Sequence, residues 1–166
     1  LGQPFHFDMV RVGIALYGGN PLDGQDCGVQ PVVRIRSRIL QERVVEPGGT
    51  VGYNATYTVS ARARIITVSA GYADGVSTRL SNSGFVTIDG QRAGIVGPVS
   101  MDLITVDVTD VPEGKTKPGG FVDLIGPGLS LNETAERASL IPYEVLTSLS
   151  RRFKRRYVSD DAKRKS

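Results

Sequence analysis

A chain of 166 residues, 40% hydrophobic and 22% charged, has an ordinary globular composition, long enough for one domain with its own core or one domain plus an appendage. One cysteine, Cys27, excludes an intrachain disulfide, and one histidine, His6, excludes a Cys/His metal cluster; no apolar run approaches the ~20 residues that span a bilayer, and no signal-peptide pattern opens the chain, which fits a cytoplasmic protein. The formal net charge of +3 is unevenly spread: residues 151–166 carry eight basic and two acidic groups, so residues 1–150 are net negative by three.

In chain order, residues 1–20 (LGQPFHFDMVRVGIALYGGN) begin with Leu1 rather than Met and read as the end of a preceding domain, which points to a fragment. A strand is expected over 31–46, where Arg34, Arg36 and Arg38 alternate with Val33, Ile35, Ser37 and Ile39, the period of a half-buried strand with its arginines on the polar face. After Pro47-Gly48-Gly49, the stretch VGYNATYT (51–58) places Tyr53 in a glycine-flanked turn. Taken alone, such a tyrosine is a packing residue with its hydroxyl hydrogen-bonded at the edge.

Further strands are expected at 62–69, 84–88, 92–97, 102–108 and 121–125, separated by turn dipeptides such as Asp89-Gly90 and Pro127-Gly128. Asp89-Gly90 is suited to a tight hairpin, and Ile104, Val106 and Val108 alternate with polar residues as core-facing positions do. This spacing predicts a mainly β fold, a barrel or a sandwich. Ser130 with Glu133 three residues on is a capping-box signature, and Pro142 opens a second short helix through about Leu149. RRFKRRYV should then resume an extended segment, ending in a basic disordered tail over 159–166. The basic run over 151–166 reads by default as a solvated terminus; such runs touch nucleic acid in some proteins, but no interleaved aromatic platform accompanies this one.

Generic catalytic signatures are missing. The lone histidine supports no Ser/His/Asp set, and there is no phosphate-binding P-loop or GxGxxG fingerprint. What stands out is an ordered series of glycine-bracketed motifs: RVGIALYG (11–18), VGYNATYT (51–58), SAGYADG (69–75), VGPVSMDLITVDVTD (96–110) and LIPYEV (140–145). Together they closely resemble alanine racemase, specifically its C-terminal part, and the resemblance runs from about Met9 to Val145.

The resemblance implies a fold-type III pyridoxal-phosphate enzyme: an N-terminal (β/α)8 barrel, a C-terminal β-barrel-like domain and a homodimer that interconverts L-alanine and D-alanine. On this reading residues 1–20 are the last segment of the barrel and 21–158 the β-domain. In the family the cofactor is bound to a barrel lysine, and that lysine and a tyrosine from the partner's C-terminal domain form a two-base pair. Inversion at Cα needs proton donors on both faces of the planar centre. The matching tyrosine is Tyr53. A phenol of ordinary pKa, ~10, is a poor base at neutral pH, so the family supplies a barrel histidine and arginine beside it.

By the same resemblance Arg11 faces the pyridine nitrogen, where a guanidinium does not readily give up its proton and so leaves the ring neutral. The backbone of Gly13 and Ile14 binds the cofactor phosphate, as does the hydroxyl of Tyr143. Tyr72, Met101 and Asp102 match residues that line the substrate entrance of the other subunit's site, and the backbone of Met101 matches a contact to the substrate carboxylate. Asp74-Gly75 reads as a turn.

Two departures bear on the entrance: Gly97-Pro98 stands where many members have Gly-Arg, and Thr78 where an entrance arginine is common. No lysine motif of the family is present, since Lys115, Lys117, Lys154, Lys163 and Lys165 lie in turn-like or tail segments. The chain alone is therefore expected to be inactive and not to hold pyridoxal phosphate covalently. Alternative readings are a small basic β-barrel that binds nucleic acid, which would show steep salt dependence, and a dimerisation or regulatory module of a related enzyme.

Overall fold

In a computed structural model that describes residues 3–22 and 27–158, the strands run in the order β1 (Ile35–Val45), β2 (Thr50–Val51), β3 (Tyr57–Thr58), β4 (Ala63–Val68), β5 (Phe85–Ile88), β6 (Gln91–Ile95), β7 (Ile104–Asp107) and β8 (Phe121–Ile125), followed by helices α1 (Leu131–Arg137) and α2 (Pro142–Ser148). Six strands close into an antiparallel barrel in the order β1-β4-β7-β6-β5-β8, and β2 and β3 form a separate two-stranded ribbon. The expected tail, 159–166, lies outside the described residues.

Closure depends on β1, which pairs with β8 through Ile35–Arg38 and with β4 through Ile39–Val45. Register shifts between Ile35 and Arg36 and between Ile39 and Gln41 bend the strand so that it can serve both neighbours. The alternation seen in the sequence holds: Ile35, Ser37 and Ile39 are buried while Arg34, Arg36 and Arg38 are exposed. Arg36 and Arg38 stack over the ring of Phe121 at 4.4 and 4.7 Å. Arg34 instead turns to the nearly buried Asp123 of β8, donating from Nε at 2.6 Å and from a terminal nitrogen at 3.0 Å.

Ile39, Ile66, Val68, Ile104, Val106 and Val122 fill the main core. Each side chain of this size contributes about 1.5–3 kcal/mol by leaving water. Val45, Val51, Val59, Ala63, Ile65 and Val96 form a second cluster beneath the β2–β3 ribbon. Asp89 and Gly90 adopt φ of 50° and 81° between β5 and β6, the left-handed pair that a two-residue hairpin turn needs.

Three local expectations are corrected. The Ser130 hydroxyl accepts from the Glu133 amide as a cap should, but the Glu133 carboxylate does not close the box: it takes a two-pronged ion pair from Arg92 and a further one from Arg137. Residues 102 and 103 do not join β7, because the Ser100 hydroxyl both accepts from the Leu103 amide and donates to its carbonyl, closing a turn. RRFKRRYV forms no strand; the Ser150 hydroxyl accepts from the Arg152 amide and the chain turns there.

Candidate active site

The candidate residues fall into two groups by contact. The first joins the two ends of the chain. Gly13 precedes a single 3-10 turn, Ile14–Tyr17, whose Ile14 side chain is anchored in the core. A β-carbon at position 13 would lie 2.8 Å from the phenol oxygen of Tyr143. Tyr143 sits in the first turn of α2, where Pro142 fixes the entry and the Glu144 carboxylate accepts from the Ile141 amide. Gly13, Ile14 and Tyr143 thus meet at one place, with Arg11 exposed two residues upstream. The opening amides of a 3-10 turn lack acceptors within it, so Gly13 and Ile14 offer N–H groups beside a phenol.

The second group is a pair of turns laid against each other. Tyr72 opens the 3-10 turn Tyr72–Asp74; its amide donates to the Ser100 carbonyl at 2.9 Å, and the Ala73 amide donates to the Met101 carbonyl at 3.0 Å. Only glycine fits before them, because a β-carbon at Gly71 would fall on the carbonyl oxygens of Ser100 and Met101. Asp74 is buried and accepts from the Gly71 amide at 3.0 Å, and Gly75 follows in the left-handed region at φ 101°, so the expected turn is present. Tyr72, Met101 and Asp102 are exposed on this double turn.

Tyr53 joins the second group through its neighbour Gly52. It stands at the tip of the β2–β3 ribbon, 73% exposed, so the packing role expected of an isolated tyrosine does not apply. The turn is tightly wound: Gly52, Asn54 and Ala55 have φ of 80°, 60° and 50°. Its base is rigid, with Val51 fully buried and paired to Tyr57. A β-carbon at Gly52 would lie 2.5 Å from Cδ of Pro98, so the Tyr53 turn rests on the segment that leads into Met101 and Asp102.

That contact gives the Gly97-Pro98 departure a place in the fold. Gly97, at φ 77°, donates its amide to the Asn82 side chain at 2.6 Å, and Pro98 packs under Gly52. Thr78 starts the 3-10 turn Thr78–Leu80, and its neighbour Arg79 does not stand in for an entrance cation, since it donates to the Ala138 and Ser139 carbonyls behind α1. Lys115 is paired with Asp89 of the β5–β6 turn at 3.0 Å.

Sequence reasoning missed Arg152, which it placed in a solvated basic run. Its guanidinium meets Asp74 at 3.2 Å and Asp102 at 2.7 Å. The hydrogen bond to Asp102 holds it above the ordinary arginine pKa, with burial opposing and the charges of Asp74 and Asp102 adding to the rise. The sequence signal was faint: an arginine a few residues past α2, with no spacing that distinguishes it from its basic neighbours.

Comparison with known proteins covers nearly the whole chain. Residues 32–157 match the family model for the alanine racemase C-terminal domain. The chain is 46% identical over 157 residues to alanine racemase of Rhodospirillum rubrum, covering 95% of this chain and 42% of that protein. Against the catabolic alanine racemase of Agrobacterium fabrum identity is 44%, covering 95% and 41%. Among solved structures it matches alanine racemase from Bartonella henselae with covalently bound pyridoxal phosphate at a TM-score of 0.90 and 42% identity, covering 95% of this chain and 44% of that one. Biosynthetic alanine racemase from Pseudomonas aeruginosa matches at a TM-score of 0.85 and 39% identity, covering 92% and 43%. The chain spans less than half the length of these relatives. Its closed β-barrel, its motif order and its matched length agree: the chain belongs to the alanine racemase C-terminal domain family.

Proposed function

We propose that this chain is the C-terminal part of a pyridoxal-phosphate-dependent alanine racemase that interconverts L-alanine and D-alanine, and that it supplies Tyr53 as one of two bases. The observation that carries this reading is the approach of Gly13 to the Tyr143 hydroxyl, because the family resemblance assigns both to one phosphate and they come from opposite ends of the chain. With no side chain at position 13, the Tyr143 hydroxyl stands close to the Gly13 backbone, so a phenol donor and the opening amides of the turn lie side by side, the donor set a phosphate group takes.

Pyridoxal phosphate, when bound, supplies the electron sink that lets the Cα proton leave. This chain's residues do the rest of their part around it. Gly13, Ile14 and Tyr143 would hold the phosphate, and Arg11, whose guanidinium keeps its proton, would serve the ring nitrogen. Tyr53 would carry a proton at its hydroxyl as one of the two bases. Tyr72, Met101 and Asp102 line the approach. The Met101 carbonyl is occupied by the Ala73 amide, which leaves its N–H as the group to meet a substrate carboxylate.

The two contact groups suit a homodimer in which Gly13, Ile14 and Tyr143 serve their own subunit's site while Tyr53, Tyr72, Met101 and Asp102 complete the partner's. Residues 1–20 fit the end of a barrel and 21–158 the β-domain: Phe5, Phe7, Met9, Val10, Val12 and Leu16 are exposed here, as a segment normally covered by a barrel would be. Cytoplasmic residence fits alanine metabolism. No observation favours nucleic acid as the partner.

The test is made on the full-length protein carrying this chain. Interconversion of the two alanines, with deuterium from solvent entering at Cα, supports the reading; no Cα exchange with either enantiomer overturns it. The chain alone, incubated with pyridoxal phosphate and reduced with borohydride, is expected to show no stoichiometric lysine adduct by mass spectrometry and no turnover.

A further inference from the structure

The geometry points to Arg152 as a positioning residue for the substrate entrance, bracing the two turns that present Tyr72, Met101 and Asp102. This deepens the racemase reading and rests on it.

The double turn is closed on one side by backbone hydrogen bonds from Tyr72 and Ala73 to the 100–101 carbonyls. Nothing in those bonds fixes the Asp102 side chain, which stands exposed at the far edge. Arg152 supplies the missing tie. Its Nε meets Oδ1 of Asp74, the buried anchor of the Tyr72 turn, at 3.2 Å, and a terminal nitrogen meets Oδ1 of Asp102 at 2.7 Å. One planar guanidinium therefore spans both turns, with two of its nitrogens each on a different carboxylate. A lysine ammonium is a point charge and cannot hold two carboxylates in such a fixed relation.

Arg152 is itself held. The Ser150 amide donates to the Asp74 carbonyl at 3.2 Å, the Ser150 hydroxyl accepts from the Arg152 amide at 3.0 Å, and the Ser148 hydroxyl donates to the Gly75 carbonyl at 3.2 Å. A β-carbon at Gly75 would fall on the Ser148 carbonyl, so the end of α2 lies directly on the Tyr72 turn. The segment after α2 thus closes over the turn and delivers the guanidinium from a fixed point. Arg152 does not touch the reacting atoms. It sets where Asp102 and the Met101 amide stand, and so how alanine is received.

The experiment compares Arg152→Met and Arg152→Lys in the full-length holoenzyme. A positioning role at the entrance raises KM for alanine about tenfold in R152M, with kcat changed by less than about threefold, because substrate reception and not proton transfer is disturbed. R152K, which keeps a cation without the fork, recovers only part of that loss. A KM within about twofold of the unaltered enzyme in folded R152M, or a fall in kcat at unchanged KM, overturns the proposal. Should R152M fail to fold, R152K decides alone: a raised KM supports the brace and an unchanged KM overturns it. Failure of the racemase reading is separable, since it would show as absent turnover in the unaltered enzyme.

Discussion

Gly13 and Tyr143 occupy one corner of the molecule with no room for a β-carbon between them: the phenol oxygen stands 2.8 Å from where that carbon would be. The obstacle is the far end of a side chain, so Gly13→Ala is expected to displace the hydroxyl and leave the fold intact. In the full-length enzyme, affinity for pyridoxal phosphate should fall about tenfold, read by absorbance titration, with little change in melting temperature. Tyr143→Phe removes the displaced group, so G13A should add little in that background. Full additivity of the two losses would place the residues at separate sites.

Gly71 poses the opposite case, because the atoms in the way are the backbone oxygens of Ser100 and Met101, which also accept from Tyr72 and Ala73. Neither can move without breaking the double turn. Gly71→Ala is expected to destabilise this chain by about 2–3 kcal/mol in urea denaturation. Gly90→Ala is the comparison: its β-carbon meets nothing within 4 Å, but φ is +81°, so the cost is conformational and about 1 kcal/mol. A G71A penalty no larger than that of G90A would mean the two turns are not locked.

The barrel strands were legible because their signals are local. Asp89-Gly90 forces a tight turn whatever surrounds it, and the alternation at Ile104 and Val106 needs only one buried face. The β2–β3 ribbon was not legible, since Thr50–Val51 and Tyr57–Thr58 are too short for any periodicity to register. The Glu133 carboxylate was misread because a cap competes with distant partners: Arg92, on β6, reaches it with two hydrogen bonds. At the site, the motifs named Tyr53, Tyr72 and Tyr143 by resemblance. What they could not convey was the relation between motifs, such as Pro98 under Gly52 or Arg152 across Asp74 and Asp102, because these ties join segments far apart in sequence.

The Arg34–Asp123 pair is where the β1–β8 seam is most exposed to a single substitution. Asp123 is 5% exposed and takes both hydrogen bonds from Arg34, whose own side chain is half in solvent. Removing the cation leaves a buried carboxylate without its charged partner, so Arg34→Met is expected to cost about 1–3 kcal/mol, discounted for the solvent around Arg34. The side-chain hydrogen bond to Asp123 is the main cause that holds the Arg34 guanidinium above its ordinary pKa, with burial opposing it. A raised folded-state pKa gives stability that is complete below the unfolded value and lost only as pH rises through the folded one. The loss in R34M should therefore be constant between about pH 6 and 9, read by urea denaturation across that range.

At Tyr53 the proposed chemistry and the stability of the fold can be tested apart. The residue is 73% exposed, and the hydrophobic support of its turn comes from Val51 and Val59. Tyr53→Phe should therefore leave the unfolding free energy of this chain within about 0.5 kcal/mol of the original. In the full-length enzyme the same change removes the hydroxyl proposed to carry the proton, and racemisation is expected to fall by about 10²–10⁴-fold in kcat while pyridoxal phosphate binding is retained. The backbone of the turn gives a second handle. Ala55 sits at φ 50°, where a β-carbon is disfavoured, so Ala55→Gly should relieve strain of about 1 kcal/mol and loosen the hold on Tyr53. The signature is a lowered kcat in A55G without loss of stability. A Y53F enzyme that retains its kcat would remove Tyr53 from the chemistry, whatever its turn looks like.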